Sequence, residues 1–150
     1  VMAGYWSSYW HNGMIYGAEI ARGLDVLQLV ESEHLSKNEI AAASTIDSDI
    51  VNAQFQRRFV WPAEPAVAQA YVDQLERSGG LDGDQVESLR QALVEAERAL
   101  SAGQADAASA ERLGGLAKAL EGALETSSGR DRARKASLAE TLKAMAEHIG

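Results

Sequence analysis

Few residues in this chain are of a type and spacing that could do chemistry. Ser7, Ser8, His11 and Asp25 supply, by type alone, a nucleophile, a base and an orienting acid, the set used in acyl transfer. Their order matches no nucleophile elbow, and His11 stands directly before Asn12-Gly13, so it reads as a turn histidine. His34 and His148 lie far along the chain, and three scattered histidines without cysteine have no metal-ligand spacing. Asp47 with Asp49, and Asp82 with Asp84, resemble the start of a calcium loop. Neither pair continues toward the roughly six to eight oxygens that calcium takes, and Asp82 is better placed as a helix cap. No glycine-rich phosphate loop is present. What remains is aromatic. Tyr5, Trp6, Tyr9 and Trp10 could stack on sugar rings as a binding surface, or pack into a core. The residues point to no catalytic group, cofactor or metal.

The elements that must position these rings begin with Asn12-Gly13. It lies between two runs rich in aromatic and β-branched residues, the signal of a type I′ hairpin. A second break at Ala21-Arg22-Gly23 separates Met14–Ile20 from Leu24–Leu29, which predicts a three-stranded antiparallel meander. Alternation from Tyr5 to Trp10 sends Tyr5, Ser7 and Tyr9 to one face and Trp6, Ser8 and Trp10 to the other. Rings on both faces predict a sheet stacked between neighbours, with Gly4 and Gly17 allowing a bulge or close backbone approach. Residues 31–65 read as a connector. Ser36 and Glu39 have capping-box spacing for a short helix over about 37–43, and Ser44–Asp49 is polar and extended. Phe55, Arg57, Phe59 and Trp61 alternate as an extended segment that ends at Pro62 and Pro65.

From Ala66 the period becomes helical. Val67, Tyr71 and Leu75 form a stripe that stops at Gly79-Gly80. Asp82 with Gln85, inside Leu81 and Val86, forms a capping box and hydrophobic staple, and Val86, Leu89, Leu93, Ala96 and Leu100 carry the stripe to Gly103. A third helix carries Leu113, Leu116, Leu120 and Leu124, with Gly114-Gly115 either allowing close helix contact or breaking it. Ser128 is placed to cap a fourth, with Leu138, Leu142, Met145 and Ile149 inward. The fold class is therefore α+β: a meander over 1–30, a connector over 31–65 and an antiparallel bundle of three to four helices over 66–150.

Composition limits the partners. The chain has 150 residues, 46% of them hydrophobic and 24% charged, and no apolar run near the roughly 18 residues of a membrane span. A net charge of −8 argues against a nucleic-acid partner. The basic cluster Arg130–Lys135 reads as a solvated helix face. With no cysteine there are no disulfides, thiolate metal sites or cysteine nucleophiles. Eight of the nine aromatics fall at or before Trp61, which divides the chain more sharply than charge does. Because the chain opens almost inside a strand, we expect a fragment of a longer polypeptide.

The segment from Gly4 through Trp6, Trp10, His11-Asn12-Gly13 and Gly17 to Leu27 resembles the closing strands of bacterial LVIVD-repeat β-propeller proteins. Leu35–Ile40 and Arg58–Pro62 resemble the connector that follows such a propeller. Tyr71–Gln85, with Ala99–Gly103, resembles the small helical FIMAH/FIVAR-like modules appended to exported bacterial proteins. The resemblance covers most of residues 4–125 and supplies no catalytic residues. It implies that 1–30 is a terminal blade fragment whose neighbours are upstream blades of the same polypeptide, since three strands fall short of a four-stranded blade. It also implies an extracellular or envelope-associated protein. The expected function is a non-enzymatic module that binds protein or cell-envelope glycan, without a cofactor. The alternative is an accessory segment of a propeller enzyme whose active site lies on upstream blades.

Overall fold

The computed structural model describes residues 4–50, 52, 54–55 and 58–150. The chain divides into two compact units, residues 1–61 and 62–150. The first holds strands β1 (Tyr5–His11), β2 (Met14–Glu19) and β3 (Gly23–Gln28) in one antiparallel sheet of order β1-β2-β3, followed by helix α1 (Lys37–Ser44). The second holds helices α2 (Pro65–Ser78), α3 (Gly83–Ala102), α4 (Ala107–Gly122) and α5 (Gly129–Ile149). The α+β class read from the sequence is the class observed.

The hairpin forms as its turn chemistry dictates. Asn12 has φ 46° and Gly13 φ 84°, the two positive angles of a type I′ turn. The far end of β1 departs from simple alternation. Tyr5 pairs with Glu19 and Ser7 with Ala18, so two steps on β1 match one on β2 and Trp6 is the extra residue of a β-bulge. The bulge shifts Tyr5 to the face of Ser8, Trp10, Gly17 and Asp25. Ser7, Tyr9 and His11 take the other face, which corrects the grouping expected for Tyr5.

Glu19 closes this end of the sheet. It is only 4% exposed, and its carboxylate accepts from the backbone amides of Gly4 (3.1 Å), Ala21 (2.8 Å) and Arg22 (2.6 Å). Burial would otherwise penalise the charge. The donated amides, Gly4 first and Arg22 next, outweigh that penalty and hold the carboxyl below the usual range. The expected covering of both faces is not met at β3. Leu24 and Val26 on one face and Leu27 on the other are exposed, because the described part of this unit places no layer over them.

Helix α1 starts at the predicted box: Ser36 Oγ accepts from the Glu39 amide (3.1 Å) and Glu39 accepts from the Ser36 amide (2.7 Å). Of the expected aromatic alternation, Phe55 instead belongs to a turn closed by its amide donating to the Asn52 carbonyl. Arg57 lies outside the described residues.

In the second unit, α2 packs on α3, α3 on α4, α4 on α5, and α5 returns against α2 to close a four-helix ring. The connections over 79–82, 103–106 and 123–128 are short, as antiparallel neighbours require. The core is aliphatic: Val72, Leu75, Leu89, Leu93, Leu113, Leu138, Leu142 and Met145, interleaved with Ala68, Ala96 and Ala117. The Asp82–Gln85 box is present, Leu81 and Val86 are buried, and Gly103 ends α3 at φ 61°. Gly114-Gly115 lies within an unbroken α4.

Three expectations are corrected here. Leu124 follows the end of α4 and is only half-buried. Ser128 occupies the N-cap of α5 without donating or accepting a side-chain cap bond. The cluster Arg130–Lys135 is not wholly solvated: Arg134 donates to Gln74 across to α2, and Lys135 is buried. Asp106, unnoticed in the sequence, caps α4 by accepting from the Ser109 amide and hydroxyl. Those bonds, the hydroxyl first, lower its pKa. No helix among the described residues is long and apolar enough to cross a membrane.

Two predictions follow from this architecture. In the isolated segment 62–150, Leu93→Ala removes a fully buried side chain and should cost about 2–5 kcal/mol. Asp82→Ala removes only the cap and should cost about 0.5–2 kcal/mol. Urea melts followed by circular dichroism measure both, and a neutral Leu93→Ala would contradict the packing. In the first unit, Glu19 and Asp25 both have folded pKa values below their unfolded ones. Their stabilisation is present above the ordinary carboxylate range and is lost as pH falls through the folded values. All three tryptophans lie in residues 1–61, so tryptophan emission should report loss of the sheet below about pH 4. Glu19→Gln should flatten that acid dependence.

A candidate binding groove at the hairpin tip

The turn that reverses the chain at Asn12 also holds a later segment in place. The Asn12 carboxamide donates from Nδ2 to the Ser48 carbonyl (3.1 Å), and its Oδ1 accepts from the Ser48 amide (3.0 Å). Ser48 in turn donates its hydroxyl to the Ile50 carbonyl (3.0 Å), and its amide also reaches Asp47 Oδ1 (2.9 Å). These bonds lay residues 46–50 beside the tip of the hairpin. Between them opens a groove of about 510 Å³, walled by Tyr9, Trp10, Ile46, Phe55 and Phe59, with His11, Asn12, Ser48, Asp49 and Asn52 on its polar parts. The rings offer flat apolar surface, and the carboxamides and Asp49 offer hydrogen-bonding groups. That mixture suits a partly polar ligand with flat or apolar faces.

Of the four aromatic residues singled out in the sequence, the groove brings together Tyr9 and Trp10. Trp6, on the bulge, is 77% exposed. Tyr5, 49% exposed, lies across Gly17: a Cβ at position 17 would stand 2.6 Å from its Cε1. Gly17 is thus needed for close approach of a ring, as its place in a strand implies. The Tyr5 hydroxyl donates to Asp25 (2.6 Å), and Arg22 donates to both Asp25 oxygens (2.6 and 3.3 Å). The Arg22 bond, then the Tyr5 bond, lowers the Asp25 pKa. The same hydrogen bond to Asp25 is the first cause raising the Tyr5 hydroxyl.

The imagined nucleophile set is dispersed. Ser7 and Ser8 face opposite sides, Asp25 is engaged by Tyr5 and Arg22, and His11 lies on the face away from Asp25, its ring 6.3 Å from that of Tyr16. His34 pairs with Glu33 (3.4 Å) at the surface, and His148 is exposed in the last turn of α5. No cluster of three or more His, Asp or Glu among the described residues could hold a metal ion.

The sequence pointed to Tyr9 and Trp10, and it placed Phe55 and Phe59 in an extended part of the connector. It gave no sign of Ile46 or of the Asn12–Ser48 bridge. Asn12 was already accounted for by its turn, and a side chain bonding 36 residues away leaves no local signal. Comparison with family models, with curated proteins and with solved structures returned no match.

Asn12→Gly separates the two roles of this residue. Glycine keeps the positive φ of the turn and deletes only the bridge. Two lost hydrogen bonds should cost about 1–3 kcal/mol locally. In hydrogen exchange, the Ser48 amide should lose protection while the β1–β2 amides keep theirs. Unchanged protection at Ser48 would show that the bridge does not hold the segment.

Proposed function

We propose that this chain is a non-enzymatic interaction module, the C-terminal part of an exported or envelope-associated bacterial β-propeller protein. The observation that carries the reading is the uncovered third strand, which exposes Leu24 and Val26 on one face and Leu27 on the other. An open meander with apolar side chains on both faces needs layers on both sides, and stacked propeller blades supply them. Strands β1 and β3 are the edges of the sheet, so a fourth strand also has a place to pair. The resemblance of residues 4–27 to closing propeller strands points the same way. The helical unit then serves as an appended interaction module. The groove of Tyr9, Trp10, Phe55 and Phe59 is the surface offered to a protein or cell-envelope glycan.

The reading frame that encodes this chain provides the test. It should hold, upstream of residue 1, hairpin repeats of similar aromatic-glycine pattern spaced by about 40–50 residues. A polypeptide extended by those repeats should quench dye binding to exposed apolar surface and protect the β3 amides from exchange. A stop codon or an unrelated domain immediately upstream would overturn the proposal.

A further inference from the structure

A second cavity, of about 210 Å³, opens within the helical unit where the start of α3, the end of α4 and the first half of α5 converge. Its walls are apolar, formed chiefly by Leu81, Leu89, Leu116, Leu120 and Ala123. One cationic side chain lines it: Lys135, 9% exposed. The Lys135 ammonium donates to the Ser127 hydroxyl (3.0 Å), and that hydroxyl spends its own proton on the Ala123 carbonyl (2.8 Å). Among the described residues no carboxylate stands within ion-pair distance of Lys135. An ammonium has three donors, and one here is matched. Taking such a charge out of water is costly unless an anion and further acceptors meet it. The other cations that cross between helices in this bundle each have an acidic mate: Arg90 has Asp73 and Glu76, Arg112 has Glu95, Lys143 has Glu121, and Arg134, which also reaches Gln74, has Asp131. Lys135 is met by the neutral Ser127 hydroxyl instead, and it lines this cavity.

We propose that this cavity binds a small monocarboxylate with a short apolar tail, its carboxylate paired with Lys135 and its tail against the leucines of α3 and α4. The size fits, since an apolar protein cavity of about 150 Å³ holds benzene. The remaining volume accommodates the headgroup. Asp84, Gln85 and Ser88 also line the cavity. Asp84 is exposed, so its charge is screened by water, whereas Lys135 is a largely buried residue. The cavity therefore selects an anion over a cation.

Hexanoate, hexanamide and hexylammonium share a tail and differ in head charge, and each can be titrated into the full chain by calorimetry and by methyl NMR. Hexanoate should saturate, shift the Leu116 and Leu120 methyls, and bind at least about tenfold more tightly than hexanamide. Hexylammonium should not bind. Lys135→Met keeps the length and apolar stem and should erase the preference for hexanoate over hexanamide. Ala119→Trp, at an exposed lining position, should block hexanoate and hexanamide without altering the helical spectrum. If the Lys135 variant fails to fold, the three parent titrations and Ala119→Trp still decide the matter. Equal affinity for hexanoate and hexanamide, tighter binding of hexylammonium, no binding at millimolar concentration, or binding that survives Ala119→Trp would each overturn the proposal.

Discussion

The first unit depends on one buried carboxylate. A three-stranded sheet must end its ladders somewhere, and at the end away from the hairpin the terminal amides would be left without strand partners. Glu19 gathers those of Gly4, Ala21 and Arg22 on its two oxygens, so a single side chain serves the approach to β1 and the turn into β3. The position of Arg22 follows from this turn, and Arg22 in turn fixes Asp25, which receives the Tyr5 hydroxyl. The bulge at Trp6 is the geometric complement: it moves Tyr5 to the face on which Asp25 lies, where Gly17 leaves room for the ring. Carboxylate, bulge and glycine form one arrangement.

The opposite end of the sheet is held differently. There the reversal relies on the positive φ angles of Asn12 and Gly13, and the anchoring relies on the bidentate bond between the Asn12 side chain and Ser48. The groove exists because this bond brings a segment distant in sequence next to Tyr9 and Trp10. Its aromatic walls and the exposed apolar residues of β3 are separate features. The walls offer a concave surface with polar groups at hand, while β3 exposes apolar side chains on both of its faces. Concave mixed surface suits a ligand, and exposed sheet faces suit further protein layers.

The helical unit is more uniform. Leucine and alanine interleave across four helices, and alanine at facing positions lets the backbones approach closely enough for leucines to fill the core without aromatic residues. Neighbouring helices are joined at the surface by basic side chains that reach acids on the preceding helix, Arg90 to Asp73 and Glu76, Arg112 to Glu95 and Lys143 to Glu121. Exposed pairs of this kind add little stability each, so they orient more than they hold. Lys135 differs from these in being buried, and it lines the neighbouring cavity.

Local signals in the chain determined the elements themselves. Asn12-Gly13, the Ser36–Glu39 and Asp82–Gln85 boxes and Gly103 act through backbone groups three or four residues away, so their outcome is written in short windows of sequence. The leucine period likewise specified the buried faces of α3 and α5, because a helix repeats its face whatever it packs against. The α+β class follows from these signals. Tertiary structure decided the rest. The bulge that moved Tyr5 depends on a register set by Glu19 and the second strand. The failure of Ser128 to cap and the inward turn of Lys135 depend on the loop over 123–128. The groove required Ser48 to meet Asn12, and the cavity required three helices to converge. Contacts between residues tens of positions apart have no period and no local composition, so no reading of neighbouring residues reveals them.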